Sequence, residues 1–185
     1  MKCLNRIETS GLAANQYVTS TYFCHLFIEE MADLHQLSFI LTADHDKAEQ
    51  CFVAALEDCV KTNHVFREWA CSWAKRNIIQ NAILMLQPRP GRESSTPTGQ
   101  SQNWRTESLG DFEVYRVLAL EDFERFVFVM SVLEHYSEHE CALLLGCSQR
   151  QVLEARSRAL VRLPDFSFFL LSHENSFDDL QETNR

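Results

Sequence analysis

The chain has 185 residues, of which 26 are acidic and 17 are basic, giving a net charge of −9. The 45% hydrophobic content excludes a wholly disordered chain, and the length allows one domain or two small domains with a core. Five glycines and four prolines are few, which favours long helices over a turn-rich β fold. The net acidity argues against coating nucleic acid through overall charge but leaves room for a local basic surface.

The cysteines and the apolar runs indicate the compartment. Seven cysteines are an odd number without a C-x-x-C pair, which predicts a reducing environment with most thiols buried as small apolar groups. Lys2 and Arg6 precede no apolar segment, so we expect no signal peptide. The longest apolar runs, such as Phe126 to Met130, are too short to span a bilayer. We therefore expect a cytoplasmic protein with no membrane partner.

The first half of the chain has helical periodicity and predicts a domain over residues 14–86. Its clearest apolar stripe runs from Ala48 to Cys59, preceded by an apparent capping box of Asp46 and Glu49. Trp69 is predicted to lie in the core, whereas Trp73 could be core or could stack on single-stranded DNA. The other helices expected in this domain span roughly residues 14–31, 33–41 and 65–86.

Residues 87–110 change in character, because three of the four prolines and many Ser, Thr and Gln residues lie there. This composition predicts a flexible, disordered linker. A second helical domain is expected over residues 111–171, with its first helix either continuous to Leu133 or broken once. An acidic tail follows at 172–185, and the apolar segment 166–171 is expected to pack on the second domain or to dock a partner.

Two short helices joined by a tight turn are predicted between Ser137 and Leu163. Ser137 and Ser148 are suited to cap the two helices, and Gly146 supplies the sharp turn between them. Ala142 is predicted at the helix crossing, where a small side chain is needed. This arrangement predicts a helix-turn-helix, whose second helix can enter the major groove, although an ordinary helical hairpin has the same pattern.

The second helix of this pair is locally basic. Residues 148–163 contain four arginines and one glutamate, for a net charge of +3 on an acidic chain. Gln149, Arg150 and Gln151 stand at the helix N-terminus, the part that contacts base edges in this motif. The alternative is a solvated basic face without a ligand.

The segment YSEHECALLLGCSQRQVLEARSRALVRL resembles region 4 of the sigma-70 family, whose pattern is S-x-x-E-I-A-x-x-L-G-x-S-x-x-T-V. The first domain is similar to region 2 of the extracytoplasmic-function group of that family. There, LTADHDKAEQCFVAAL resembles L-x-G-D-x-x-x-A-E-D-L-x-Q-x-x-F, and FREWACSWAKRNII resembles F-R-x-W-L-x-x-I-A-R-N. The resemblance covers about 130 residues, counted from these quoted segments and their spacing.

The resemblance implies an all-α protein of two helical domains that binds core RNA polymerase and promoter DNA to start transcription. Region 2 binds the β′ clamp helices and the melted −10 element, and region 4 binds the β flap and the −35 element. The residues that it assigns to polymerase binding are Glu49, Gln50, Val53 and Leu56. The residues that it assigns to DNA binding are Asn63, His64, Arg67, Trp73, Lys75 and Arg76 in the first domain and Ser148, Gln149, Arg150, Gln151, Glu154 and Arg158 in the second.

The chain departs from the family at several of these positions. Gln50 and Val53 replace the polar Asp and Gln of the polymerase-facing helix, and Leu153 replaces a lysine of the recognition helix. A second hypothesis is therefore a diverged, sigma-like interaction protein that keeps the fold without promoter recognition. A third is a plain helix-turn-helix repressor, which gives the first domain no role. An anti-sigma factor is a further partner that the resemblance leaves open.

Other classes of function have less support in the sequence. We find no Gly-rich phosphate loop, metalloprotease motif or nucleophile elbow, so we expect no enzyme and no cofactor. His135, His139 and Cys141 are close in sequence, but Ser137 caps a helix between the histidines and no second ligand pair has zinc spacing. We therefore expect no metal site.

Overall fold

The computed structural model describes residues 17–62, 65–91 and 109–163. Within these ranges the chain is mostly helical and contains no β-strand, as the sequence predicts. One isolated antiparallel bridge joins Tyr17 to Phe66. Most of the predicted linker, the segment 166–171 and the acidic tail lie outside the described residues.

The described chain divides into two compact units at Arg89 and Pro90, and the segment Leu143–Gly146 groups with the first. The helices of the first unit are α1 (Ser20–Glu29), α2 (Met31–Thr42), α3 (His45–Lys61) and α4 (Ala70–Leu86), with a 3₁₀ turn at Arg67–Trp69.

The four helices of the first unit enclose one apolar core, in which α3 packs on α1, α2 and α4. The contact face of α3 carries small side chains, which let the neighbouring helix axes approach closely. These fully buried residues are Ala48, Cys51, Ala55 and Cys59. Larger side chains from the other helices fill the space around them, namely Phe23, Phe27, Leu34, Leu41, Ile78 and Ile79. The predicted stripe on α3 is therefore confirmed.

The predicted boundaries of the first three helices need two corrections. The predicted helix over 14–31 ends at Glu29, because Glu30 leaves helical geometry before α2 begins at Met31. The cap of α3 is Asp44, whose carboxylate accepts the Lys47 N–H at 3.0 Å, and not Asp46. Ala43 takes a left-handed conformation at φ 53° and ends α2, which leaves Asp44 as the first position able to cap α3.

The prediction that Trp69 is a core residue is wrong, because its side chain is 58% exposed. The 3₁₀ turn at Arg67–Trp69 has three residues per turn, so it shifts the helical phase before α4 begins. The prediction assumed one continuous α-helix from Val65 onward, and in such a helix Trp69 would face the core.

The second unit contains α5 (Leu109–Leu118), α6 (Asp122–Phe128), a π-helical segment (Val129–Leu133), the first residues of α7 (Glu138–Leu145) and α8 (Gln149–Arg162). The single break that the sequence allowed falls at residues 119–121. The central run of α6 and the π-helical segment is almost wholly buried, and α6 packs on α8. None of the helices in the described ranges is long and apolar enough to cross a membrane.

Candidate nucleic-acid interface

The first helix of the predicted motif, α7, begins at a reciprocal cap. The Ser137 hydroxyl accepts the Glu140 N–H at 3.2 Å, and the Glu140 carboxylate accepts the Ser137 N–H at 2.9 Å. Two backbone N–H groups that have no partner within the helix at its start are thus hydrogen-bonded. The predicted cap at Ser137 is confirmed.

The turn between α7 and α8 is fixed by Gly146 and by a second cap. Gly146 has φ +63°, a left-handed conformation that costs glycine little, and the Cys147 N–H donates to the Ala142 carbonyl at 3.0 Å. Ser148 accepts the Gln151 N–H at 3.3 Å, while the Gln151 side-chain oxygen accepts the Ser148 N–H at 3.0 Å. The predicted turn and cap are therefore present, and together they set the start of α8.

The buried face of α8 holds this helix against α6. Val152, Ala155, Ala159 and Leu163 are buried at the spacing of one helical face, as predicted, and Ala142 of α7 is buried too. The opposite face of α8 carries the charged and amide side chains, and two of its apolar residues, Leu153 and Val161, are exposed as well.

The residues predicted to read bases, which include Glu154, differ in availability. Arg150 has a side chain 87% exposed, and its Nε donates to the neighbouring Glu154 at 2.8 Å. Gln149 is exposed, and its amide nitrogen lies 3.1 Å from His139 Nδ1. Gln151 is half-buried and its side-chain oxygen is occupied in the cap of α8. Arg150 and Gln149 are therefore the side chains at this end that can reach a ligand without breaking the cap.

The last two arginines of α8 are bound to one carboxylate from α6. Arg158 Nε donates to Glu124 Oε1 at 2.6 Å, and Arg162 Nη1 donates to Glu124 Oε2 at 2.8 Å. Glu121 lies 3.6 Å from the guanidinium of Arg162. Glu124 is 1% exposed, so its carboxylate is buried, and each of its two oxygens accepts a hydrogen bond from an arginine. Arg158, which the resemblance assigns to DNA binding, is thus held within its own unit.

The remaining arginine of α8, Arg156, lies 3.9 Å from Glu138 of α7. Each of the four arginines of α8 therefore has a glutamate partner, and the four partners are Glu154, Glu138, Glu124 and Glu121. Four positive and four negative charges sum to zero, so the net +3 of the isolated segment does not describe the field around the folded helix.

Sequence reasoning missed Glu124. The only local signal is a Glu-Arg pair inside the apolar run that ends at Met130, and a charged pair in such a run is expected to be bonded. Arg125 indeed donates to Asp122 at 2.6 Å and to the Leu120 carbonyl at 3.0 Å. Glu124 and Arg158 are 34 residues apart in the sequence. No local sequence pattern therefore indicates the hydrogen bond between them.

Aromatic side chains gather on the first unit around the 3₁₀ turn. The Phe66 ring lies 4.8 Å from the Tyr17 ring and 5.2 Å from the Trp69 ring, measured between centroids. Arg67 is exposed and its guanidinium carbon lies 5.3 Å above the Tyr22 ring. Of the described residues predicted to meet single-stranded DNA, Arg67 lies in the same 3₁₀ turn as Trp69, beside this aromatic group.

The other predicted DNA contacts of the first unit are less accessible. Lys75 is buried, and Trp73 and Arg76 are half-buried. The buried indole N–H of Trp73 has no hydrogen-bond partner among the described residues. Asn63 and His64 lie outside the described residues. Of the four predicted residues that the structure describes, Arg67 is therefore exposed, whereas Trp73, Lys75 and Arg76 are half-buried or buried.

Three of the four residues predicted to bind polymerase share the outer face of α3. Glu49, Gln50 and Val53 are exposed there, whereas Leu56 is half-buried beside the small-residue core stripe. Val53 is 47% exposed and has charged neighbours on both sides along the helix. The face thus combines an apolar centre with an acidic start, and it is free to contact a partner helix.

Potential metal ligands and thiols occur at several places in the described residues, and one of the cysteines, Cys71, is disulfide-bonded. Within those ranges no group of three or more His, Cys, Asp or Glu side chains is placed to hold a metal ion. His135 has φ +57° between the π-helical segment and α7, so it shares no helix face with His139. Burial raises the pKa of Cys141 to about 11, with Glu140 adding to the effect, which keeps this thiol protonated at neutral pH.

Comparison of the chain with protein-family models, curated proteins and solved structures finds no match. The likeness to the sigma-70 family therefore stands on the motif residues and their spacing alone.

Proposed function

We propose that this chain is a sigma-like factor, which binds core RNA polymerase through α3 and promoter DNA through α7 and α8. The observation that carries the proposal is the pair of helices α7 and α8, each of which begins at a serine cap. The exposed side chains of Gln149 and Arg150 stand at the start of α8. In a helix-turn-helix these positions meet the edges of the bases, and arginine suits guanine while glutamine suits adenine.

The first unit supports the same proposal. Its α3 presents Glu49, Gln50 and Val53 outward, at the positions where the family meets polymerase. The exposed aromatic group with Arg67 supplies the stacking and cationic surface that single-stranded DNA requires. Neither feature has a role in a plain repressor, which needs only the second unit.

A second candidate is a sigma-like protein that binds polymerase or another regulator without reading a promoter. The observation in its favour is the pairing of all four arginines of α8 with glutamates of the same unit. Fewer free cations mean fewer phosphate contacts and a weaker grip on the DNA backbone. Leu153 and Val161 on the outer face of α8 favour a protein partner in this case.

Co-elution of the full chain with purified core RNA polymerase tests the polymerase half of the proposal. We expect a stable complex with the wild-type chain and its loss in the Val53→Asp variant, because a new carboxylate would enter the apolar centre of the α3 face. The loss expected for one central contact residue is at least about tenfold in affinity, since interface anchors contribute about 2 kcal/mol or more.

Leu84→Asp is the matched control, since Leu84 is an exposed apolar residue of α4 in the same unit. We expect this variant to bind core polymerase as the wild type does. Equal loss in the two variants would indicate a general effect of the added charge, and no complex with the wild type would contradict the sigma-like function.

A further inference from the structure

Glu124 is an acidic residue of α6 whose carboxylate accepts hydrogen bonds from two arginines of α8. Its oxygens lie 2.6 Å from Arg158 Nε and 2.8 Å from Arg162 Nη1, one arginine on each oxygen. Charge-assisted bonds of this length are among the stronger hydrogen bonds in proteins. A phosphate group would offer these arginines the same geometry, with two anionic oxygens facing two guanidinium groups.

The burial of the three partners is unequal. The Glu124 side chain is 2% exposed, whereas the side chains of Arg158 and Arg162 are 50% and 48% exposed. The arginines can therefore turn towards solvent or towards DNA without unfolding, but the carboxylate cannot follow them. A buried carboxylate without a partner raises the free energy of the folded chain. The transfer of either arginine from Glu124 to a phosphate is therefore unfavourable.

No other charged group described near this end of α8 is seen to bind Glu124 in place of the two arginines. The groups that face this end of α8 are Glu121, 3.6 Å from Arg162, and Arg116 of α5, whose guanidinium donates to the Arg162 carbonyl at 3.2 Å. Glu121 is half-exposed and remains solvated whether or not Arg162 stays beside it. Glu124 is thus the group whose burial sets the cost of releasing the arginines.

We propose that Glu124 is an internal competitor for DNA phosphate, which holds Arg158 and Arg162 on the protein and restricts the contact of α8 to its N-terminal residues. The inference rests on the proposed DNA contact of α8 and deepens it. It makes Glu124 a positioning residue that lowers non-specific affinity for duplex DNA and leaves base recognition to Gln149 and Arg150.

The test is the salt dependence of duplex DNA binding by the full chain, wild type and Glu124→Gln. The neutral amide keeps the volume of the side chain and frees the arginines to contact phosphates. Two added phosphate contacts steepen the salt slope by nearly two, so the affinity of the variant should fall about tenfold further than that of the wild type between 50 and 200 mM salt. Equal slopes for the two proteins overturn the inference.

Glu121→Gln is the matched control, because it removes the same charge from the same end of α8 at a half-exposed site. We expect its salt slope to stay close to that of the wild type. A slope as steep as that of Glu124→Gln would show that net charge alone sets the affinity, and would overturn the role of the buried carboxylate.

A second measurement uses the wild-type chain alone, in case Glu124→Gln does not fold. Side-chain ¹⁵N NMR follows the Nε–H signals of Arg150 and Arg158 during titration with a duplex. We expect the Arg150 signal to shift and the Arg158 signal to stay in place. A parallel shift of both signals overturns the inference.

These outcomes are separate from those of the proposed function. If the wild type fails to bind core polymerase while Glu124→Gln gains salt-dependent duplex binding, the sigma-like function fails and the role of Glu124 stands. If the wild type binds polymerase and the slopes of the two proteins are equal, the role of Glu124 fails and the sigma-like function stands.

Discussion

Single thiols show how burial controls the chemistry of a side chain in this protein. Burial raises the pKa of Cys51 to about 11 and that of Cys59 to about 12. The Cys51 thiol also donates to the Ile78 carbonyl at 3.3 Å. Cys24, in contrast, lies exposed on α1. Because the thiolate is the reactive form, the buried thiols are expected to be inert in the folded chain.

Alkylation with iodoacetamide at pH 8, read by mass spectrometry, should therefore label Cys24 and leave Cys51 and Cys59 unmodified until denaturant is added. Their native pKa values lie above the unfolded value, so the folded state holds these protons longer as the pH rises. The resulting contribution to stability is complete below about pH 8.5 and is lost as the pH rises towards 11 to 12. Labelling of Cys59 as fast as Cys24 in the native chain would contradict this account.

At the scale of elements, α8 depends on the residues that set where it starts. Ser148 and Gln151 exchange hydrogen bonds at the N-terminus, and Gly146 directs the chain into the helix from α7. A helix that begins one residue later would turn Arg150 by about 100° away from its present direction. The cap therefore sets the direction of the side chains that we propose to contact DNA, and it also stabilises the helix.

Ser148→Ala should lower the free energy of unfolding of the second unit by about 1 kcal/mol, the usual effect of removing a serine cap. Ser157→Ala is the control, since Ser157 is an exposed serine in the middle of α8 and should change stability by less than about 0.5 kcal/mol. Urea denaturation followed through a probe in α8 measures both. Equal effects of the two substitutions would show that the cap does not determine the stability of α8.

Local signals account for the elements that the sequence predicts well. The two caps at Ser137 and Ser148 and the glycine turn each involve residues no more than a few positions apart, so their pattern is visible in the chain. The 3₁₀ turn before α4 has no such signal, and the position of Trp69 was wrong for that reason. The partnership of Glu124 with α8 depends on tertiary packing, which local periodicity does not encode.

At the scale of the whole molecule, the two helical units carry surfaces of different chemistry. The first unit presents the outer face of α3 and an exposed aromatic group, and the second presents the N-terminal end of α8. Each of the four arginines of α8 is paired with a glutamate of the same unit, so the proposed contact of this unit with DNA depends on a few side chains and little on the field of the molecule. A protein of this kind would need a partner to reach useful affinity for a promoter, and core polymerase is the partner that we propose.

The most direct test of the central claim is transcription by core RNA polymerase on a library of duplexes with random upstream sequence, with and without this chain. The account predicts that adding the chain enriches transcripts that share an upstream sequence, and that Gln149→Ala with Arg150→Ala abolishes or alters this enrichment. Transcripts without any shared upstream sequence, from a polymerase that has bound the chain, would contradict promoter recognition and favour the sigma-like interaction protein.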